Sequence, residues 1–191
     1  MYIIIVNLYP THLSFLVTNI LLALLPFDLS YLIYRLKSNW LALPISFVWL
    51  LFFPNTMYMI TDFMHLYSLD ADNARVNFAL LIFGIFMGVS MGVRSADLIF
   101  ERFFKQGNLS KLLIFYTVLS FVSGFAMYLG RYVRLNSWDI FTDIKDSLTQ
   151  ITQAVHAYSL NFVLIFGLMQ LGLLLGYRAL RLLNEKPTKS N

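Results

Sequence analysis

The segment Phe53-Pro54-Asn55-Thr56-Met57-Tyr58-Met59-Ile60-Thr61-Asp62-Phe63-Met64-His65-Leu66 sets an amide, a phenol, a carboxylate and an imidazole into otherwise apolar sequence. At about 100° per residue, Asn55, Tyr58, Asp62 and His65 fall within about 80° of one another on a helix. A polar stripe on an apolar helix faces protein or water rather than lipid. Two readings stand. In one, a helix ends among lipid headgroups and Asp62 and His65 are solvated. In the other, the stripe is a buried polar site in which Asp62 orients His65, or both bind a ligand. Asp62 and His65 are then the candidate catalytic pair, acting as a general base. Pro54 cannot donate to the carbonyl of Leu50, so the helix should kink there.

A second cluster follows at Tyr128-Leu129-Gly130-Arg131-Tyr132-Val133-Arg134-Leu135-Asn136-Ser137-Trp138-Asp139. Arg131 and Arg134 lie one turn apart at a helix end. Guanidinium groups pair bidentately with phosphate or carboxylate, the chemistry of an anion site. The competing reading is ordinary snorkelling to lipid phosphates, with Tyr132 and Trp138 as interfacial anchors. The ligand-binding candidates are therefore Asn55, Tyr58, Arg131, Arg134, Asn136, Trp138 and Asp139.

Other chemistries find less support. Asp62, His65, Asp139 and His156 offer oxygen and nitrogen donors, but no His-x-x-His or His-Glu-x-x-His spacing exists. No metal is expected, and His65 and His156 are the weak candidates. No cofactor is expected either, since there is no phosphate-cradling glycine loop, dinucleotide fingerprint or serine elbow. The chain has no cysteine, which excludes disulfides and thiol chemistry.

The two clusters, Pro54-Asn55-x-x-Tyr58-x-x-Thr61-Asp62-x-x-His65-Leu66 and Tyr128-Leu129-Gly130-Arg131-x-x-Arg134-x-Asn136-Ser137-Trp138-Asp139, resemble the signature of an uncharacterised bacterial integral membrane protein family, domain of unknown function 1361. The likeness runs from about Asn19 to Tyr177. Thr56-Met57 departs from it where Ala-Pro is frequent, and Leu135 where Trp is common. The resemblance implies a membrane fold and supports the choice of motifs. It implies no reaction.

The elements that must position these residues are legible in composition. Of 191 residues, 59% are hydrophobic and 13% charged, with a mean hydropathy of +0.69. A soluble domain carries about 25% charge. The apolar excess falls in runs long enough to span a bilayer. Five spans are expected, at about 12–34, 40–60, 77–93, 109–129 and 158–180, in one all-α membrane domain covering 1–191. Between 138 and 155, Trp138, Phe141, Ile144, Leu148, Ile151 and Val155 recur every three or four positions among Asp139, Asp143, Asp146 and Gln150. That is an amphipathic helix lying on the membrane surface. Met1–Thr11 contains no Lys or Arg, so no cleavable signal peptide is read; Met1–Pro10 either lengthens the first span or lies at the interface.

Lys and Arg set the orientation. With the N-terminus outside, the cytoplasmic segments hold Arg35, Lys37, Arg94, Arg102, Lys105, Lys111, Arg178, Arg181, Lys186 and Lys189. The outer ones hold only Arg75, Arg131, Arg134 and Lys145. The expectation is a multi-pass protein of the cell (cytoplasmic) membrane, N-terminus outside and C-terminus in the cytoplasm. The net charge of +4 is scattered over short loops, so nucleic acid is not an expected partner.

Gly84, Gly88 and Gly92 recur every four residues on one face of the third span, allowing a partner helix to approach closely. Ser120/Gly124 and Gly172/Gly176 repeat the signal more weakly. Asp28 is an intramembrane carboxylate near a span end. Arg94, Asp97 and Glu101 read as an ion-pair ladder within one helix. The function expected is recognition of an anionic headgroup or lipid-linked phosphate in an outward-facing polar pocket, with membrane lipids as partners; whether a reaction follows is open. The alternative is a non-enzymatic scaffold or small transporter subunit packing through its glycine face. Sparse mid-membrane polarity, limited to residues such as Asn19, Ser90 and Gln170, argues against a transporter.

Overall fold

The computed structural model describes residues 14–61, 74–104, 108–135 and 139–184, and among them every regular element is helical. In chain order they are α1 (Ser14–Arg35), α2 (Asn39–Phe52), α3 (Pro54–Tyr58), α4 (Ala74–Phe104), α5 (Leu109–Tyr128), a π-helical turn (Leu129–Val133), α6 (Asp139–Thr142), α7 (Ile144–Gln153) and α8 (Ala157–Asn184). Five stretches are long and apolar enough to cross a membrane: Val17–Arg35, Asn39–Thr61, Arg75–Phe104, Leu109–Val133 and Tyr158–Asn184. The chain is an all-α, multi-pass integral membrane protein.

The third span is longer than its apolar run. It continues from Val93 to Phe104, because Asp97 and Glu101 face cations rather than lipid. The surface helix is two pieces. Asp143 leaves helical geometry at φ −144°, ψ 84°, and its carboxylate accepts from the Asp146 amide to cap α7. Met1–Pro10 and His12 lie outside the described residues.

The chain forms two compact units, Met1–Ser95 and Ala96–Asn191. In the first, the Ser95 hydroxyl accepts from the Trp49 indole at 2.7 Å and donates to the Pro26 carbonyl at 3.1 Å. One buried side chain thereby ties α1, α2 and α4 with its donor and acceptor both used. The second span breaks where Pro54 requires it. Phe53 N–H still reaches Trp49 O at 2.8 Å, and Thr56 N–H then tightens onto Phe53 O at 3.1 Å. The chain continues as α3 and a 3₁₀ turn over residues 59–61.

That broken segment packs on the glycine face of α4, and Gly84, Gly88 and Gly92 are all buried. A Cβ at Gly88 would collide with Met59 Sδ and lie 3.2 Å from the Thr56 carbonyl. One at Gly92 would collide with Thr56 Oγ1 and come within 2.9 Å of Met57 Cε.

In the second unit α5 packs along α8. A Cβ at Gly124 would sit 3.3 Å from Val163 O and 3.4 Å from Gly167 N, so here two backbones approach directly. The Gly172/Gly176 repeat does not join this contact. Both glycines are exposed, with nothing within 4 Å of either Cβ position. Asp28 is exposed.

Candidate functional site

The site in the second unit begins with the end of α5. The helix starts on Asn108, whose side chain accepts from Lys111 N–H at 3.1 Å, and runs 20 residues before widening into the π turn Leu129–Val133. Such turns cost hydrogen-bond geometry and are frequent at functional sites. The turn closes on Arg134, at φ 63° and ψ 28°. Left-handed backbone usually falls to glycine, and a side chain there is strained. The two arginines therefore do not share an α-helical face as their spacing suggested. Arg131 is half-buried inside the wide turn, and Arg134 lies exposed beyond it.

Opposite that end stands the start of α8. His156 occupies the N-cap position and Ser159 the third helical position. Ser159 Oγ accepts from His156 N–H at 2.9 Å, and His156 Nδ1 accepts from Ser159 N–H at 3.3 Å. This is a reciprocal capping box with imidazole in the place of the N-cap hydroxyl and a serine hydroxyl in the place of the usual carboxylate or amide. A backbone amide only donates, so Nδ1 presents its lone pair and the neutral ring carries its proton on Nε2. Nε2 lies 3.0 Å from the Tyr128 hydroxyl. With that tautomer it donates to Tyr128, and the Tyr128 hydrogen is left to point at a further acceptor.

Tyr128 is 4% exposed and held by rings on several sides. It stacks on Tyr132 with centroids 4.9 Å apart and meets His156 edge-on at 5.7 Å. Tyr158 donates from its hydroxyl to that of Tyr132 at 3.0 Å. Ile151 and Ala154 pack α7 and its C-terminal turn against this cluster. Beside it opens a cleft of about 340 Å³ lined by Tyr128, Tyr132, Val133, Gln150, Gln153 and His156, among others. Its walls combine aromatic surface with amide, hydroxyl and imidazole groups, which suits a partly polar ligand.

The other sequence candidates fall as follows. Asn55 and Tyr58 are half-buried on α3. Asp62, His65, Asn136 and Trp138 lie outside the described residues. Asp139 opens α6 and is half-buried. Among the described residues no three of His, Asp and Glu gather into a metal-sized group, and both ring nitrogens of His156 have partners.

A charged cluster in the same unit was hidden from sequence reasoning. Asp97, with no solvent exposure, receives Arg178 Nη1 at 2.7 Å, Arg181 Nη1, and the Tyr116 hydroxyl at 3.1 Å. Glu101 Oε1 takes Arg178 at 3.2 Å and Arg181 at 2.6 Å. These carboxylates are met by guanidiniums, which is how ionic groups are tolerated at such depth. The carboxylates once read as a ladder along α4 thus also bind across to α8.

The family model for a protein of unknown function, DUF1361, matches residues 18–173. The chain belongs to this family. Both motif clusters and the whole capped end of α8 fall inside the match. No curated protein and no solved structure matches the chain.

Proposed function

We propose that this membrane protein recognises an anionic headgroup or lipid-linked phosphate at the outer leaflet of a bacterial inner membrane. The observation that carries the reading is the pairing of His156 with Tyr128 beside the cleft. It leaves a buried hydroxyl with a hydrogen to donate, and donors aimed at an acceptor are what a phosphate oxygen requires. Arg134 supports it. The residue follows Val133 of the cleft wall, is exposed, and is held by left-handed backbone at a fixed place beyond the helix end. Exposed Tyr132 and Tyr158 fit a headgroup-level position. The orientation that puts this end outside rests on the Lys and Arg bias. Asp62 and His65, outside the described residues, remain the candidates to orient the anion, or to act as a base if a reaction follows binding.

The test is thermal unfolding of the purified full chain in a neutral detergent, titrated with phosphatidylglycerol, a polyprenyl phosphate or phosphatidylcholine. At about 100 times Kd a ligand stabilises by about 2.7 kcal/mol, which raises Tm by roughly 5–10 °C in a chain of this size. The anionic lipids should give that shift and phosphatidylcholine should not. Tyr128→Phe and Arg134→Ala should abolish it. Equal shifts with all three lipids, or full shifts in both variants, would end the proposal.

A further inference from the structure

Three polar side-chain oxygens on α5 and α8 are sealed at mid-span. Ser120, Ser123 and Gln170 have no solvent exposure, and Ser120 Oγ, Ser123 Oγ and Gln170 Oε1 have no hydrogen-bond partner among the described residues. Ser120 and Ser123 flank the middle of the span Leu109–Val133, and Gln170 lies near the middle of Tyr158–Asn184. On α5, Tyr116, Ser120, Ser123 and Met127 fall within about 60° of one another. The Gln170 amide lies against this face, since its Nε2 donates to Met127 Sδ at 3.2 Å. That bond uses a weak acceptor and leaves the amide oxygen unmet.

Two other serines within the spans, buried Ser30 and half-buried Ser46, satisfy themselves. Ser30 Oγ donates to Phe27 O at 2.7 Å and Ser46 Oγ to Ala42 O at 2.7 Å, the usual habit of serine in a span. Ser120 and Ser123 do not follow it. In hydrocarbon no solvent makes up the loss, and each unmet group costs several kcal/mol. Two such oxygens on one α5 face, and a third on the α8 amide that meets that face at Met127, call for a partner that can both donate and accept.

We propose that the α5–α8 interface is a mid-membrane binding site for water, bridging Ser120, Ser123 and Gln170. One molecule meets the chemistry. It donates to Gln170 Oε1 and to one serine oxygen, and it accepts the hydroxyl hydrogen of the other serine. The same α5 face continues one turn away to Tyr116, which reaches Asp97. The site thus extends the polar interior from the charged cluster into the middle of the span.

The sign of a stability change tests this. Ser120→Ala and Ser123→Ala are made singly and together in the full chain, and Tm is read in detergent. A bridged oxygen is an asset, so each single change should lower Tm by a few degrees, and the double change should lower it by less than the two effects combined. A dry orphan is a liability, so deleting it would leave Tm unchanged or raise it, and either result overturns the proposal. Replacing sodium chloride by choline chloride at equal strength should leave Tm unmoved; a Tm that follows the cation would assign the oxygens to a metal ion and refute water. The unmutated chain supplies an independent reading. Solid-state NMR in bilayers should show magnetisation passing from water to the Ser120 and Ser123 amides, and its absence there would also refute the site.

Discussion

Arg178 Nη1 lies 2.7 Å from Asp97 Oδ1, across 81 positions of sequence. The carboxylate has no exposure and receives Tyr116 and Arg181 as well. Removing one member of such a cluster leaves the others charged and unmatched, which is the expensive case for a buried ion pair.

Asp97→Asn should therefore cost about 3–5 kcal/mol, lowering Tm by roughly 10 °C. Tyr116→Phe removes one hydrogen bond to a charged acceptor and should cost about 1.5–3 kcal/mol. Thermal unfolding of both in one detergent checks the ranking. Equal stability of Asp97→Asn and the unmodified chain would show that the cluster holds nothing.

The glycines separate by what surrounds them. Gly92→Ala forces a methyl against the β-branched Thr56, whose Cβ would be 2.9 Å away, and overpacking of this kind costs about 1–3 kcal/mol. Gly172→Ala meets nothing within 4 Å and should gain about 0.5–1 kcal/mol from helix propensity. The yields and Tm values of the two variants should move in opposite directions. Loss of both, or of neither, contradicts the assignment.

Arg134 separates binding from folding. Arg134→Gly relieves a left-handed side chain while freeing the unfolded state, so stability should stay level or rise by up to about 1 kcal/mol. The same variant should lose its response to phosphatidylglycerol. A variant that unfolds early, yet still responds to the lipid, would reverse both assignments.

The absence of native cysteine makes single-cysteine labelling clean. On α7, Ile144 and Leu148 are exposed apolar residues one turn apart. An environment-sensitive fluorophore at Leu148→Cys should report an apolar setting, and at Thr149→Cys an aqueous one, if this face lies in the bilayer interface. Aqueous emission from both sites would remove α7 from the membrane.

Orientation is tested by reporter fusions. Fusions after Lys186 should read cytoplasmic and those within Leu66–Asn73 external, following the Lys and Arg bias. An external C-terminus would invert every side assigned to the site.

Much of the scaffold could be read from residue order, because a span announces itself locally. Each of the five runs is apolar over the length of a bilayer, and Pro54 marks the break in the second. The charged cluster could not be read in this way. Asp97 looks like the end of a span when its neighbours are counted, and its partners on α8 appear only after folding. Arg134 was visible as a cation but not as a left-handed residue, since glycine is the usual marker of that backbone. His156 and Ser159 did carry a signal, a side-chain acceptor and a hydroxyl at the first and fourth places of a helix start, which the imidazole disguised. Tyr128 resembled its interfacial neighbours until its hydroxyl was seen to meet His156.

The α5–α8 pair is fastened near both of its ends and pressed together between them. At one end Tyr116 and Arg178 share Asp97; at the other Tyr128 meets His156; in the middle Gly124 lies against Gly167. Axial sliding of one helix past the other would strain all three places at once, so shear is the motion this pair resists most. Pivoting as a single strut, with the end of α4 that carries Asp97, leaves every fastening intact. Whatever movement accompanies occupancy of the cleft should carry α5 and α8 together, and distances measured between labels on the two helices should stay constant while the pair tilts.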